Sequence, residues 1–175
     1  YLENSYQTYE MEPVEDTDAD WRLDTYIGTT RLPAIIQDYL MNESRVVDEY
    51  HADGIAAGFL IYPLNNFSGD ERAKEILDMR DALEEAIAEA AGEDTVTFLG
   101  GATGLYCGYL DFIAWDISPV LEAAEDFFRE SGLDWAAFHS FRRDVSTVKL
   151  FEKEAYDENG EAAEDPQIDP QTGSL

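Results

Sequence analysis

The chain is poor in the residues on which most reactive and metal-binding sites are built: among 175 residues there is one cysteine, Cys107, two histidines, His51 and His139, and only 11 Lys and Arg. One thiol excludes an internal disulfide and a zinc site made of cysteines, and a mixed site would have to draw on carboxylates. The scarcity of bases matters more. Against 39 acids it leaves a net charge of −28, and nucleic-acid affinity comes from Lys and Arg neutralising phosphates, so direct DNA or RNA binding is excluded. Anionic membrane surfaces are disfavoured for the same reason. The longest apolar runs fall far short of the about 20 residues of a spanning helix, so no membrane insertion is expected of this segment.

Half of the net charge sits at the ends. Residues 1–20 carry seven acids and no base, and residues 152–175 carry eight acids and only Lys153. The first segment has scattered aromatics without a sustained period and reads as an acidic, mobile arm, either a linker or a stretch that orders on a partner. The last segment reads as an acidic, turn-rich tail, with Asn159-Gly160 and Asp169-Pro170 as reversal signals. Between them, residues 21–151 form the expected single α+β domain.

Trp21 to Ile27 alternates as a strand would, and Leu32, Ile35, Ile36, Tyr39 and Leu40 recur at helical spacing behind a Thr29 or Thr30 cap, with Pro33 in the first turn. Ala56 to Leu64 is a continuous apolar run, as expected for a strand buried on both faces. Ser68 and Glu71 have capping-box spacing for a helix ending at Gly92. Thr95 to Leu99 and Leu105 to Trp115 read as a hairpin about a Gly100–Gly104 turn; Asp116 or Ser118 caps a further helix, closed by Gly132. Trp135 to Phe141 and Val145 to Phe151 read as extended. From residue 55 the order is strand, helix, strand, strand, helix, strand. That order predicts a ferredoxin-like antiparallel sheet with helices on one face, preceded by an extra strand-helix unit at 21–50.

Motif by motif, the chemistry stays thin. The Gly100-Gly101-Ala102-Thr103-Gly104 segment lacks the following helix and the base that a phosphate cradle needs. Cys107 and Asp111 share a strand face, but ferredoxin-like order places His139 two strand spacings from Cys107, roughly 9–10 Å, too far for a nucleophile and its base. Asp157-Glu158-Asn159-Gly160 opens like a calcium loop, yet its sixth and twelfth positions are Ala162 and Ile168. No metal site, no cofactor and no catalytic residue is expected, and an enzyme is disfavoured.

What is present points to surfaces. On the helix near residues 69–91 the acids Glu71, Asp78, Asp81, Glu85 and Glu89 form a candidate partner-binding row. Like charges four apart there cost about 0.2–0.5 kcal/mol per pair, offset in part by Lys74 with Asp78 and Arg80 with Glu84. Such a row suits a basic protein partner, or is the ordinary surface of an acidic proteome. The aromatic strands give a second surface, suited to a homodimer interface or a small ligand, with Tyr109, Asp111, Trp135 and His139 as candidate ligand-binding residues. The leading expectation is a non-enzymatic interaction or regulatory domain engaging a protein partner. Its alternatives are a small-ligand binder or carboxylate-based enzyme, a nucleic-acid-mimicking inhibitor of a basic protein, and a secreted or surface domain with acidic spacers. A concave pocket with a buried carboxylate of displaced pKa near those four residues would favour the ligand-binding alternative; a filled core would count against it.

Overall fold

The protein was examined as a computed structural model, which describes residues 5–16 and 20–154. Both turn clusters expected in the tail lie outside the described residues.

Seven strands form one antiparallel sheet: β1 (Gln7–Glu10), β2 (Thr25–Thr30), β3 (Ala56–Pro63), β4 (Val96–Gly104), β5 (Cys107–Ala114), β6 (Trp135–Ser140) and β7 (Val148–Glu152), in the spatial order β1-β2-β4-β5-β3-β6-β7. Four α-helices accompany it among the described residues: α1 (Pro33–Leu40), α2 (Arg45–Ala52), α3 (Arg72–Ala91) and α4 (Ile117–Glu130). The fold is α+β, and its seven-strand order differs from that of a four-stranded ferredoxin-like sheet, because β1, β2 and β7 extend it at both sides.

The central strand β3 is buried along both faces, as its unbroken apolar run requires. Leu60 and Tyr62 face a core shared with Ile76, Leu83 and Ile87 of α3 and Val120, Ala124 and Phe128 of α4. Phe59 and Ile61 face a second core with Ile35, Ile36 and Tyr39 of α1 and Val47 of α2. Helices therefore cover both faces, not one. The pair within residues 55–151 lies on one side, and the preceding unit folds back over the other.

Local differences from the sequence reading have identifiable causes. Trp21–Asp24 is a 3-10 turn, not the start of a strand, with the backbone N–H of Arg22 donating to Asp20 Oδ1 at 2.9 Å and Thr25 Oγ1 donating to the Arg22 carbonyl at 2.7 Å. The turn buries both Arg22 and Asp24, which strict alternation could not do together with Thr25. The single helix expected after Thr30 is broken in two: Asn42 takes φ +56°, and buried Asp38 accepts the Val46 N–H at 2.9 Å. Asn is among the few residues that adopt this left-handed backbone readily. Ser68 caps nothing, since α3 begins at Arg72 without a side-chain cap. The glycine-rich stretch is strand, not turn, and the chain reverses at Leu105-Tyr106. Those glycines are read correctly as spaces for neighbours: a Cβ at Gly101 would meet the Arg80 side chain, and one at Gly104 would overlap the Asp24 carboxylate.

Residues 7–10, inside the stretch expected to be an arm, pair with β2. Tyr9 lies over Gly28, where a Cβ would overlap its ring, and its hydroxyl accepts from Arg22 Nη2 at 3.1 Å. Arg22 in turn reaches Asp111 on β5 through two bonds, Nη1 to Oδ1 at 2.5 Å and Nη2 to Oδ2 at 2.8 Å, with both side chains buried. Its guanidinium carbon is 4.7 Å from the Phe59 ring centre and 4.8 Å from that of Tyr109. Arg22→Met leaves the Asp111 charge buried without its cation, so the expected loss is about 3–5 kcal/mol in urea unfolding, with most of it recovered by the double variant Arg22→Met with Asp111→Leu.

Candidate functional site

Strand register decides where the candidate residues go. Phe59 on β3 pairs with Asp111 on β5 and, across its other edge, with His139 on β6, so the three form one row on one face of the sheet. Tyr109 and Ile61 pair one step along, on the same face. Trp135 packs with this second core as well. Tyr109, Asp111, Trp135 and His139 thus share a single face, whereas alternation alone left the aromatic strands divided between two.

They do not share one role. Tyr109 and Asp111 are fully buried. Asp111 is consumed by Arg22; burial works against the Arg22 cation, but Asp111, joined by Tyr9 and Tyr109, outweighs it and holds the guanidinium pKa well above its ordinary value. Tyr109 donates its hydroxyl to Asp24 Oδ1 at 2.6 Å, and burial drives its pKa far up. Asp24 also accepts the backbone N–H groups of Tyr106 at 2.8 Å and Cys107 at 3.0 Å. Burial raises the Asp24 pKa, and those three donors oppose the rise without cancelling it.

Trp135 and His139 open onto a cavity of about 520 Å³. The sheet contributes Phe59, Ile61 and Ala137, the 3-10 turn Asp20 and Trp21, the loop after Phe141 Arg143, Ser146 and Thr147, and β7 Lys149 and Glu152. The two indoles lie 6.0 Å apart, tilted by 43°. Trp21 and Trp135 also line a second hollow of about 340 Å³ on the side of Leu105 and Tyr106, and Tyr106 meets Trp21 edge-on at 6.4 Å. Trp21 and Tyr106 are both more than two-fifths exposed. The 520 Å³ of the first cavity lies within the size range of small-molecule pockets, and its lining is divided evenly between apolar and polar side chains.

The polar groups around it are ordered by hydrogen bonds. His139 stacks on Phe59 at 5.4 Å, and both of its ring nitrogens face backbone carbonyls, Nδ1 that of Ser140 and Nε2 that of Val145, the latter at 2.9 Å. The imidazole thereby ties the 142–147 loop to the sheet. Asp20 accepts from the Tyr39 hydroxyl at 2.6 Å and is 3.3 Å from Arg143 Nε. Burial, with Asp20 adding to it, raises the Tyr39 pKa.

Cys107 pairs with Pro63 on β3, four positions from the Phe59 row that holds His139. No side-chain contact between the two is present among the described residues. Burial, reinforced by Asp24, pushes the thiol pKa well up. No group of three or more His, Cys, Asp or Glu is placed to hold a metal, and no helix is long and apolar enough to cross a membrane, among the described residues.

Glu71, just ahead of α3, and Asp78, Asp81, Glu85 and Glu89 on it are all exposed. Lys74 pairs with Asp78 at 2.6 Å, whereas Arg80 offsets Glu84 electrostatically without a direct ion pair to it among the described residues. It turns inward and donates through Nη2 to the Ala102 carbonyl at 2.8 Å and Thr103 Oγ1 at 3.1 Å. Burial, together with Asp81, raises the Glu84 pKa, and the Arg80 charge opposes the rise without cancelling it.

Asp20, Trp21, Arg143 and Lys149 escaped the sequence reading. Arg142-Arg143 is the one adjacent pair of bases in a chain of net charge −28, a signal read only as a turn between two strands. Comparison with family models, with curated proteins and with solved structures finds no match to this chain. In the folded protein Cys107 should resist a disulfide reagent at pH 8, reacting at least about 100-fold faster once denaturant exposes it; comparable rates in buffer and in denaturant would contradict its burial.

Proposed function

We propose that this protein is a small-ligand-binding domain, non-enzymatic, built on a ferredoxin-like unit at residues 55–151. The four strands of that unit lie in the order β4-β5-β3-β6, with α3 and α4 on one face, which supports the architectural part of the reading. The observation that carries the functional part is the cavity between the Trp21 turn, β6, β7 and the 142–147 loop, with two indoles and Phe59 facing it.

The cavity supports this alternative over partner binding, although it meets only part of the condition set by the sequence. It is concave and lined by two of the four candidates, Trp135 and His139, whereas Asp24, the buried carboxylate of raised pKa, hydrogen-bonds Tyr109 outside that lining. A binding role fits better than a catalytic one because the titratable groups nearest the cavity are engaged. Asp20 takes Tyr39 and Arg143, His139 takes two carbonyls, and Asp111 takes Arg22. None is left as a free base beside a nucleophile.

The exposed acidic row of α3, with Arg80 turned away from it, favours a basic protein as the second reading. That reading requires an affinity that collapses between low and high salt; a salt-independent complex would eliminate it.

Indole is a suitable neutral probe for the cavity. Ligand-observed NMR should show saturation transfer to indole in the wild-type chain, with a Kd of roughly 0.1–1 mM for a ligand of this size. Trp135→Ala should abolish it, as should Thr147→Trp, which fills the cavity from a loop position and leaves the sheet intact. Indole binding that survives both changes, or fails in the wild type, would defeat the proposal.

A further inference from the structure

We infer that the ligand is an anion: a planar, apolar carboxylate whose ring lies against Trp21 and Trp135 and whose charge is taken by Arg143 and Lys149. The inference rests on the ligand-binding reading above and adds the chemical class. It follows from which polar groups at the cavity still have hydrogen-bonding capacity.

The acceptors are the engaged partners. Asp20 receives the Arg22 N–H at 2.9 Å on Oδ1 and the Tyr39 hydroxyl at 2.6 Å on Oδ2, and stands 3.3 Å from Arg143 Nε. It has little left to offer a cationic ligand. His139 has each ring nitrogen against a carbonyl. Glu152 is paired with Lys149 on β7 in an exposed contact that costs little to open from either side, so the asymmetry rests on Asp20 and Arg143.

The donors are held more loosely. Arg143 makes only long contacts: 3.3 Å to Asp20, and 3.5 and 3.4 Å from Nη1 to the carbonyls of Tyr39 and Leu40. A guanidinium has five N–H groups in a planar fork that matches a carboxylate, and these distances lie at or beyond the usual limit for N–H to O bonds. The Lys149 ammonium has three donors and one acid partner. Exposed ion pairs of this kind contribute about 0–1 kcal/mol, so a ligand carboxylate can open one at little cost. Ser146 and Thr147, also at the cavity, add hydroxyls that can donate.

Long-range electrostatics gives the placement its significance. At −28 the chain as a whole repels anions, and an anion site has to supply its own local cations. Two of the 11 bases in the sequence line this one cavity. The indole pair supplies the apolar half of the ligand's surroundings, and a planar ring is the shape that fits against indoles.

Three probes with the same ring and different charge separate the outcomes: indole-3-acetate, the neutral alcohol tryptophol and the cation tryptamine, each titrated calorimetrically into the full chain. Indole-3-acetate should bind about tenfold or more tighter than tryptophol, because charge-assisted hydrogen bonds to a carboxylate are the strong ones. Tryptamine should bind weakest. The preference for the acid should shrink with added salt and vanish in the double variant Arg143→Gln with Lys149→Gln, the ratio of acid to alcohol affinity falling to about one. Arg143→Lys, which keeps the charge and loses the fork, should retain part of the preference, and unchanged unfolding midpoints would show that both variants are folded. Equal binding of acid and alcohol, or tightest binding of tryptamine, would overturn the anion assignment and leave the ligand-binding reading standing. Binding of none of the three would overturn both.

Discussion

The buried ion pair between Arg22 and Asp111 is the constraint around which the rest of this structure is arranged. Two charges in an apolar interior are tolerated only with close geometry and satisfied hydrogen bonds, and here the two carboxylate oxygens take two guanidinium nitrogens while Phe59 and Tyr109 supply aromatic faces to the cation. The pair spans 89 residues of sequence. It fixes the Trp21–Asp24 turn against the middle of the sheet, and through the Tyr9 hydroxyl it fixes the first strand as well. Asp20 and Trp21 reach the cavity because Arg22, which follows them directly, is anchored to Asp111.

Much of the fold was legible. The apolar run of β3, Asp116 capping α4 ahead of Pro119, and the glycines closing α3 and α4 at positive φ all follow from local chemistry that the sequence displays. The errors share one origin, which is that a local signal has more than one physical use. Gly100, Gly101 and Gly104 signal a turn when read along the chain. In the fold they give room to the Thr29 backbone, the Arg80 side chain and the Asp24 carboxylate, all distant in sequence. Ser68 and Glu71 have capping-box spacing, but the helix begins beyond both.

The candidate site was half legible for a similar reason. Tyr109 and Asp111, or Trp135 and His139, can each be assigned to one face of their own strand. Whether two strands turn the same face depends on register, which β3 sets by pairing Phe59 with both neighbours. Asp111 carries the signature of a functional carboxylate in sequence and serves as a structural counter-ion. Arg143 falls between two segments read as extended and Lys149 within the second of them, and it is tertiary structure that brings both to the two indoles.

The sheet also ends in two outer strands, β1 and β7, each paired on one side only among the described residues. Unpaired backbone along such a strand is a template for another chain, and proteins guard it with charge. Here the guard is collective: two copies approaching edge to edge bring together bodies of −28 each, whose mutual repulsion is strong in dilute buffer and fades as salt shortens the screening length to a few ångströms. The acidity thus adds a repulsion between copies at these strands that is independent of anything the molecule binds, and concentrated salt removes it.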